Sequence, residues 1–552
     1  MEMTGVKTIA VLGGGITGLS AAFSLSRGLP KDAYRIVVIE AQSHLGGWIR
    51  GERVPVFPMN KSEGFAALLE AGPRSIRPVG YKGRRTIEML DQLSLTNRMI
   101  LVPRTSPSAK NRYLFFGGKL NKLPSSLLSA ISEFKRSPVL RSIFPQALQE
   151  WSVPRSQSVC VDGGDESVHD FFSRRLGPAV ADNMASALIH GIYAGDSRSL
   201  SVKGTMPSLV ALEKEHGGLF RAILPSLFNS QYQKSQLSKK KSTAQQQREV
   251  EMRLDPSLVK KLPQTSIYSF PEGLGEIITA LERQLLATPN VEIWKNTTCE
   301  QIQCDDPFQI HTSFANQPLK ADRIVAAIPS AKLAPLFPSL PHLAHNPSAT
   351  LGVVDVVLAP SDKSEAYPLP VKGFGYLVPR SATNNPHGIL GVVFDSDAVP
   401  NQNNLHPDGT QAFVKLTVMI GGPYWQPLTT LPTEEDVQAQ ALEALESQLG
   451  LPSSVITNDV RFVRTRILRQ TIPQYQVGHL QRMQELYKAM INEPTLKDRL
   501  SLLGYSYGGV GVNDCVANAM DTCEAIVHYE AGERSPACIE QCTGLSEITQ
   551  AL

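Results

Sequence analysis

The first strong pattern along the chain is an apolar run that leads directly into glycines. Residues 8–12 are apolar apart from Thr8, and a glycine-rich turn at 13–18 and a helical pattern follow them. A second apolar run at 35–39 ends at Glu40. Uninterrupted apolar runs that alternate with helices are typical of a parallel sheet buried on both faces. The beginning of the chain therefore predicts an α/β domain.

Later parts of the chain repeat this pattern and add another one. The apolar runs at 291–294 and 321–329 predict further buried strands, and residues 500–515 predict a strand, a glycine turn and a helix start. Between them, residues 349–422 contain short alternating runs, which predict the strands of a second sheet. These runs lie at 352–357, 388–394 and 412–419.

Two segments depart from the α/β pattern. Residues from about 86 to 151 have a helical, amphipathic pattern with basic residues beside it. Such a helix can lie on a membrane surface, although an apolar stripe is more often ordinary core. Residues 229–254 are dominated by Gln, Ser and Lys, with three successive lysines at 239–241, and they predict a disordered insertion.

Composition excludes several classes of protein. The 552 residues, 42% of them hydrophobic, can bury a large core in two or three domains. The 54 basic and 51 acidic residues nearly cancel, which is not typical of a nucleic-acid-binding protein. No apolar run reaches the length of a membrane-spanning helix, and the first strand begins too close to Met1 for a cleavable presequence. Seven cysteines without a CxxC pair predict free thiols and no metal site.

The glycine turn has the spacing of a dinucleotide-binding site. Gly13 permits the tight turn, Gly15 lets the backbone approach a pyrophosphate, and Gly18 lets the helix pack closely on the strand. The amino end of the helix then faces the phosphates. Glu40 stands at the distance downstream at which an acid binds a ribose hydroxyl. Any tight strand-to-helix connection could use the same glycines, but Glu40 favours the dinucleotide site.

Two further segments give the chain a specific resemblance to a known family. A Gly-Gly pair precedes Trp48, and residues 70–78 read Glu-Ala-Gly-Pro-Arg-Ser-Ile-Arg-Pro. Together with the glycine turn and Glu40, these segments resemble the amine-oxidase-like flavoproteins, and within that group they resemble the protoporphyrinogen oxidases. The resemblance extends from residue 8 to about 530. It implies an α/β fold in which a Rossmann-like FAD-binding domain is interleaved with a mixed-sheet substrate domain and a helical membrane-binding domain.

The resemblance also implies which residues bind FAD. They come from the glycine turn, the acid that ends the second strand, the two following glycine segments, one later strand and the last glycine turn. They are Gly13, Gly14, Gly15, Ile16, Thr17, Gly18, Glu40, Ala41, Trp48, Gly72, Pro73, Arg74, Ser75, Cys299, Val510, Gly511 and Val512. Amides at the last turn would stabilise negative charge on the reduced flavin ring.

The substrate site implied by the resemblance uses five residues. Arg104 occupies the position that holds a substrate propionate, and Gly191 lies in a loop of small residues beside the flavin. Phe374, Leu377 and Met419 match positions that face the porphyrinogen, although isolated residues of these types are core residues by default. No pair of residues near these segments suggests an acid or a base, so we predict no catalytic side chain.

The resemblance implies oxidation of protoporphyrinogen IX to protoporphyrin IX, the penultimate step of haem biosynthesis, with O₂ as acceptor. It further implies peripheral, monotopic association with the mitochondrial inner membrane. It leaves open a homodimer and a hand-over of product to the next enzyme of the haem pathway. The alternatives are an amine or polyamine oxidase with the same flavin motifs and a lipid escort related to GDP-dissociation inhibitors. Arg104 argues against the amine oxidase, and Glu40 with its glycines argues against the escort.

The expected domain boundaries combine the patterns with the resemblance. The FAD-binding domain is expected in three pieces, at 1–85, 265–330 and 471–530. The helical membrane-binding domain, with part of the substrate site, is expected at 86–228, and the substrate domain at 331–470. The disordered insertion at 229–254 and a tail at 531–552 complete the chain.

Overall fold

The protein is described from a computed structural model. The structure describes residues 5–56, 66–124, 137, 141, 164–219, 240–359, 369–402 and 413–549.

Nineteen strands lie in the described parts of the chain. They are β1 (Lys7–Leu12), β2 (Tyr34–Ile39), β3 (Gly51–Pro55), β4 (Ala66–Glu70), β5 (Ile100–Pro103), β6 (Tyr113–Phe116), β7 (Lys119–Lys122), β8 (Thr265–Ser269), β9 (Val291–Trp294), β10 (Cys299–Gln303), β11 (Phe308–Thr312), β12 (Leu319–Ala321), β13 (Arg323–Ala326), β14 (Ser348–Leu358), β15 (Gly375–Leu377), β16 (Ile389–Val393), β17 (Val414–Gly421), β18 (Val460–Pro473) and β19 (Leu500–Leu502).

The helices of the described parts surround these strands. They are α1 (Ile16–Gly28), α2 (Gly80–Gln92), α3 (Pro107–Lys110), α4 (Val168–Leu176), α5 (Pro178–Val180), α6 (Ser186–Tyr193), α7 (Val202–Thr205), α8 (Pro207–His216), α9 (Lys240–Glu251), α10 (Pro256–Lys261), α11 (Gly275–Leu286), α12 (Ser330–Leu333), α13 (Asp395–Ala398), α14 (Glu434–Ser447), α15 (Ser453–Asn458), α16 (His479–Asn492), α17 (Val512–Glu530), α18 (Pro536–Cys542) and α19 (Ser546–Thr549).

The first sheet has five parallel strands in the order β19-β13-β1-β2-β9. Successive residues of β1 enter two different cores: Ile9 and Val11 pack with α1 and α17, while Ala10 and Leu12 pack on the opposite face. Both faces are therefore dry, because side chains alternate across a strand. This explains the uninterrupted apolar run and confirms the predicted α/β fold.

The second sheet is mixed and has seven strands in the order β18-β14-β17-β16-β15-β6-β7. Its neighbours are antiparallel except for β15 and β6, which run parallel. One face packs against α14, and this core contains Val354, Val418 and Val437. The predicted mixed-sheet domain is confirmed, and strands β6 and β7 join it from far earlier in the chain.

The predicted helical character of residues 86–151 is wrong for residues 100–103 and 113–122, which are strands and a turn on either side of the short helix α3. Strand β5 pairs with β8, and β6 and β7 form a hairpin. Gly117 and Gly118, with φ of +63° and +71°, make the two-residue turn, and such turns favour glycine because both central residues need positive φ. Residues 125–136, 138–140 and 142–151, which include most of the predicted amphipathic segments, lie outside the described residues. Helices α4 to α8 lie between residues 168 and 216.

The disorder predicted for 229–254 is wrong for its second half. Residues 240–251 form α9, which packs against α2. Val250 is buried there, and Glu251 accepts a hydrogen bond from Arg84 at 2.6 Å. Val250 and the ion pair of Glu251 with Arg84 thus connect a mostly polar helix to α2, a pattern that composition alone does not detect. Residues 220–239 lie outside the described residues.

The tail at 531–552 forms part of the first domain up to residue 549. Helices α18 and α19 follow α17, and Thr543 accepts a backbone hydrogen bond from Leu502 of β19 at 2.9 Å. Cys538, Cys542 and Leu545 are buried. Among the described residues, no helix is long and apolar enough to cross a membrane.

The packing of the tail predicts that Leu545→Ala destabilises the protein. Leu545 is 0% exposed, and removing a buried leucine side chain costs about 2 to 5 kcal/mol of unfolding free energy. The same substitution at Leu286, which is 63% exposed, is the matched control and leaves stability nearly unchanged. Urea unfolding of both variants measures the difference. Equal midpoints for the two variants would contradict the packed tail.

Candidate functional site

The carboxyl ends of the parallel strands meet at one edge of the first sheet. Gly13, just after β1, donates its N–H to the last carbonyl of β2 at 2.8 Å. Ala327 donates to the end of β1 at 2.8 Å, and Leu503 donates to the end of β13 at 2.9 Å. The hydrogen-bonded rows thus continue past the strands and hold the turns side by side. In open parallel sheets, ligands bind at this edge.

The glycine turn of residues 13–18 connects β1 to α1 at this edge. Gly13 has φ of +102°, a conformation that favours glycine. A Cβ at Gly18 would lie 1.9 Å from the carbonyl oxygen of Gly13, so only glycine fits where helix and turn meet. A Cβ at Gly15 would meet nothing within 4 Å. Gly15 therefore borders open space at the amino end of α1.

That amino end has the features of an anion-binding site. Helix α1 begins at Ile16, and its capping residue Gly15 supplies no side-chain hydrogen bond. The first amides of a helix, here those of Ile16, Thr17 and Gly18, have no partner within the helix. They carry the positive end of the helix dipole, which suits a pyrophosphate.

Glu40 lies at the end of β2 with its carboxylate turned toward the glycine turn. One carboxylate oxygen accepts the Gly14 N–H at 2.6 Å, and the other accepts the Gln42 N–H at 2.8 Å. Ala41 between them is exposed. Glu40 therefore holds the turn itself in addition to the ribose role that the sequence predicts. The sequence does not reveal this second contact.

The Gly-Gly pair at 46–47 and the segment at 72–75 form a second wall of the site. Gly46 donates its N–H to Gly14 at 2.8 Å. A Cβ at Gly72 would lie 2.1 Å from the Trp48 carbonyl oxygen, which brings the two predicted segments into direct contact. Pro73 and Ser75 are half-buried beside them.

The last glycine turn reaches the same place from the other end of the chain. Helix α17 begins at Val512, after Val510 and Gly511. The Gly509 N–H donates to the Tyr475 hydroxyl at 2.8 Å, and a Cβ at Gly504 would lie 3.3 Å from the Thr17 hydroxyl. The second helix start is thus fixed beside the first one.

Cys299 lies at the start of β10, away from these turns. The neighbouring backbone contact to Glu40 comes from Thr297, whose N–H donates to the Glu40 carbonyl at 2.9 Å. Burial raises the pKa of the Cys299 thiol to about 12. The predicted backbone contact of Cys299 with the cofactor stays a prediction, and Thr297 is an additional candidate.

Three of the predicted substrate residues come together on the second sheet. Leu377 pairs with Gly391, and Gly391 pairs with Met419, so the side chains of this row point to the same face. Gly191 of α6 crosses the row, and a Cβ there would lie 2.6 Å from a methyl group of Leu377. Gly391, between Leu377 and Met419, has no side chain, so nothing projects from this part of the row. The sequence analysis did not identify Gly391.

The other two predicted substrate residues lie beside the β5–β8 pair. Phe374 packs against a cluster that contains Val102 and Ile267. Arg104, two residues after Val102, is exposed and donates from its backbone N–H to Gln264 at 2.8 Å. No carboxylate pairs with the Arg104 guanidinium in the parts of the chain that the structure describes. The Arg104 Nε donates to the Thr265 carbonyl at 3.4 Å, so the guanidinium makes a long backbone hydrogen bond and no ion pair with the described residues.

The side chain of Arg74 makes an ion pair that the sequence did not predict. Its Nε lies 3.2 Å from a carboxylate oxygen of Asp395, which begins α13 on the substrate side. Burial opposes the charge of Arg74, but Asp395 and its neighbours outweigh burial and raise the pKa of the guanidinium. Asp395 follows Arg74 by more than 300 residues, so no local pattern could reveal the pair.

Glu70 and His190 are buried near these segments. One Glu70 carboxylate oxygen accepts the Leu274 N–H at 2.8 Å, and the other has no partner. Burial raises the Glu70 pKa to about 7. His190 shares a hydrogen bond of 2.8 Å with the Val378 carbonyl, and burial lowers its pKa. His190 therefore has a structural contact. The segment around Gly191, expected as a loop, is part of helix α6.

Comparison with known proteins finds similarity over almost the whole chain. The family model described as flavin containing amine oxidoreductase matches residues 16–527. The chain belongs to this family. The chain is 34% identical to the protoporphyrinogen oxidase of Schizosaccharomyces pombe over 526 residues. The matched region covers 93% of this chain and 97% of that protein. The chain is 32% identical to human protoporphyrinogen oxidase, covering 95% of this chain and 99% of the relative.

The structural comparison agrees with the sequence comparison. A solved structure of a candidate protoporphyrinogen oxidase from Exiguobacterium sp. matches with a TM-score of 0.68 and 22% identity, covering 95% of this chain and 99% of that one. At this identity the likeness establishes the fold. Within the flavin containing amine oxidoreductases, the chain belongs with the protoporphyrinogen oxidases.

As a member of this family, the chain is an FAD-dependent oxidoreductase. Its residues fit the cofactor: the start of α1 lacks a side-chain cap, the space at Gly15 is open, and Glu40 stands beside it. The start of α1 would hold the phosphates, and the second helix start, at Val512, would face the flavin end.

The position of Glu40 predicts that Glu40→Ala purifies with little FAD. The substitution removes a charged acceptor, and a hydrogen bond to a charged group contributes about 1.5 to 3 kcal/mol, equivalent to roughly ten- to a hundredfold weaker binding. The flavin absorbance per polypeptide after dialysis measures it. Glu292→Ala, on the neighbouring strand β9, is the matched control and keeps its FAD. Full retention of FAD by Glu40→Ala would remove Glu40 from the site.

The raised pKa of Glu70 predicts that Glu70→Gln stabilises the protein at high pH. The folded state keeps the Glu70 proton up to about pH 7, whereas the unfolded chain releases it near 4.5, so wild-type stability falls between these values. Gln avoids this loss, worth about 3 kcal/mol. We expect equal unfolding midpoints at pH 4 and a higher midpoint for Glu70→Gln at pH 8. Exposed Glu300→Gln serves as control, and a similar pH-dependent gain there would refute the assignment.

Proposed function

We propose that this chain oxidises protoporphyrinogen IX to protoporphyrin IX with O₂ as the electron acceptor. The observation that carries the proposal is the exposed Arg104 guanidinium, which has no carboxylate partner among the described residues and follows the apolar cluster of Val102 by two residues. A flat, apolar macrocycle with carboxylate substituents matches both features, and the names of the relatives support the same substrate. An amine substrate would instead need an acceptor for its ammonium group.

Bound FAD supplies the chemistry, since it accepts a hydride from a ring carbon. The chain supplies orientation. Leu377 and Met419 offer an apolar face, and Arg104 binds a propionate by charge-assisted hydrogen bonds. The amides at the start of α17 favour negative charge at the end of the site that they face. No side chain needs to act as an acid or a base in this scheme.

We also propose that the enzyme associates peripherally with the mitochondrial inner membrane. Leu188 and Ile192, one turn apart on α6, are 40% and 45% exposed, and they flank the Gly191 segment. Exposed apolar residues beside Gly191, a predicted substrate residue, suit a lipid-facing surface. A homodimer and direct transfer of the product to the next enzyme of the haem pathway belong to the same proposal, and they rest on the family resemblance.

The experiment that tests the function is a porphyrin fluorescence assay. Purified holoprotein in air is expected to convert non-fluorescent protoporphyrinogen IX to fluorescent protoporphyrin, at a rate proportional to enzyme concentration. Benzylamine and putrescine, offered separately, are expected to produce no hydrogen peroxide. Peroxide formation from an amine without porphyrin fluorescence from protoporphyrinogen would overturn the proposal in favour of an amine oxidase.

Because Arg104 has no carboxylate partner among the described residues, we predict that Arg104→Ala impairs catalysis while FAD stays bound and the fold stays stable. Loss of a charge-assisted pair of about 1.5 to 3 kcal/mol lowers kcat/KM roughly ten- to a hundredfold. Arg104→Lys recovers part of the activity, because a point charge replaces a planar fork. The control is Arg283→Ala on the exposed side of α11. An unchanged kcat/KM in Arg104→Ala would show that Arg104 is an exposed loop residue without a role in substrate binding.

A further inference from the structure

A buried group of charged side chains joins the flavin side to the substrate sheet. At its centre the Thr417 hydroxyl lies 2.8 Å from a carboxylate oxygen of Asp355 and 2.7 Å from a carboxylate oxygen of Asp395. Thr417 and Asp355 are each 1% exposed, and Asp395 is 4% exposed. Two carboxyl groups from different elements thus share one hydroxyl group in the interior.

The single hydroxyl hydrogen at this junction cannot satisfy two ionised carboxylates. A threonine hydroxyl has a single hydrogen to donate, and an ionised carboxylate can only accept. Thr417 can therefore satisfy one carboxylate, and the second contact is a hydrogen bond only if that carboxyl carries its own proton and donates to the hydroxyl oxygen. Two ionised carboxylates so close together in a buried place would repel each other strongly.

The surrounding charges place a cation at each end of the junction. Arg466 of β18 donates to the other oxygen of Asp355 at 2.7 Å and to Glu52 of β3 at 2.9 Å. Arg74 lies 3.2 Å from the other oxygen of Asp395, which has no hydrogen-bond partner. Other charged groups of the packed elements include Arg464 of β18, paired with Glu52, Lys415 of β17, Glu70 of β4 and Asp397 of α13, whose carboxylate accepts the Gly373 N–H at 3.0 Å.

These cations give the two ends different surroundings. The Arg466 side chain and the Glu52 side chain are 21% and 41% exposed, so the Asp355 end reaches the rim of the protein. The Asp395 end faces Arg74, which belongs to the 72–75 segment that is predicted to bind FAD. Burial raises the pKa of Asp355, which agrees with a protonated carboxyl at the junction.

We propose that Asp355, Thr417 and Asp395 bind one shared proton and form a relay that sets the charge balance at Arg74. In the first state Asp355 carries the proton, donates to the Thr417 oxygen, and Thr417 donates to ionised Asp395. In the second state each hydrogen has moved along its hydrogen bond, so Asp355 is ionised and Asp395 is protonated. One O–H bond breaks and one forms at each transfer, and the net charge of the group is unchanged.

The two states differ at Arg74. Ionised Asp395 contacts the guanidinium directly, whereas in the second state the compensating negative charge lies on Asp355, one hydroxyl group farther from Arg74. Negative charge added at the predicted FAD site therefore favours the second state. The relay then balances that charge by moving a proton internally, without exchanging a proton with solvent. Asp355 and Thr417 act through Asp395 and Arg74, so they are positioning residues. The proposal requires bound FAD but does not depend on the identity of the substrate.

The test is infrared spectroscopy of holoprotein labelled with ¹³C at the aspartate carboxyl groups. At pH 8 in D₂O the wild-type protein is expected to show a protonated carboxylic acid band that shifts with the label, which separates it from Glu70. Asp355→Asn and Asp395→Asn are each expected to abolish the band, because the remaining partner then ionises and accepts the Thr417 hydrogen. Thr417→Ser, which keeps the hydroxyl, retains it.

Thr465→Val on β18 is the matched control, because Thr465 pairs with Val354 and points to the opposite face of the sheet from Asp355. It retains the band. Absence of the band in the wild-type protein would overturn the proposal, and so would its persistence in Asp395→Asn, which would place a fixed proton on Asp355 alone. The wild-type measurement decides the first question even if a variant does not fold.

The coupling to the flavin is tested by reducing the bound FAD with dithionite. The reduced-minus-oxidised infrared spectrum of the wild-type protein is expected to show a displacement of the labelled band, as the proton moves from Asp355 to Asp395. Asp355→Asn with full FAD content shows no such feature. A wild-type band that does not move on reduction would refute the relay. Because dithionite replaces the substrate, this result is independent of whether protoporphyrinogen is oxidised.

Discussion

The close approach of Gly18 to Gly13 is the constraint on which the site depends. Any side chain at Gly18 would collide with the Gly13 carbonyl, so α1 must begin where β1 ends. This places the amino end of α1 at the carboxyl edge of the parallel sheet. The turn after β13 and the turn after β19 bind to the same edge through backbone hydrogen bonds. Residues from both ends of the chain therefore meet at this edge of the first sheet.

Charged side chains of the second sheet connect it to strands β3 and β4. Lys415, buried in β17, donates to the Leu68 carbonyl of β4 at 2.6 Å, and Arg466 reaches Glu52 of β3. Buried charges are costly unless they are paired, so these contacts fix the position of the second sheet relative to β3 and β4. The same pairs bring Arg74 and the Asp355, Thr417 and Asp395 junction together. Orientation and charge balance thus have a common structural origin.

Sequence patterns predicted the parts of the fold that are determined locally. Uninterrupted apolar runs predicted the parallel sheet, and the spacing of Gly13, Gly15 and Gly18 predicted the turn at its edge. The tail was not predicted, because Leu545 is buried by a sheet edge that forms only in the tertiary structure. The hairpin at 113–122 was missed although Gly117 and Gly118 signal it, since the surrounding amphipathic pattern was interpreted as helical.

The candidate site shows the same division. The glycine segments that meet at Gly72 and Trp48 could be predicted from their motifs, because close backbone approach requires glycine at that position. Asp355, Asp395 and Thr417 could not be predicted, since strand register and distant pairing bring them together and no spacing in the sequence encodes it. The FAD and substrate contacts of individual residues stay predictions. Mixing holoprotein with protoporphyrinogen IX under anaerobic conditions, while following flavin absorbance, tests the central claim most directly. We predict loss of the oxidised flavin spectrum at a rate no slower than turnover, and its recovery when O₂ is admitted. A flavin that stays oxidised with protoporphyrinogen but is reduced by an amine would contradict the account.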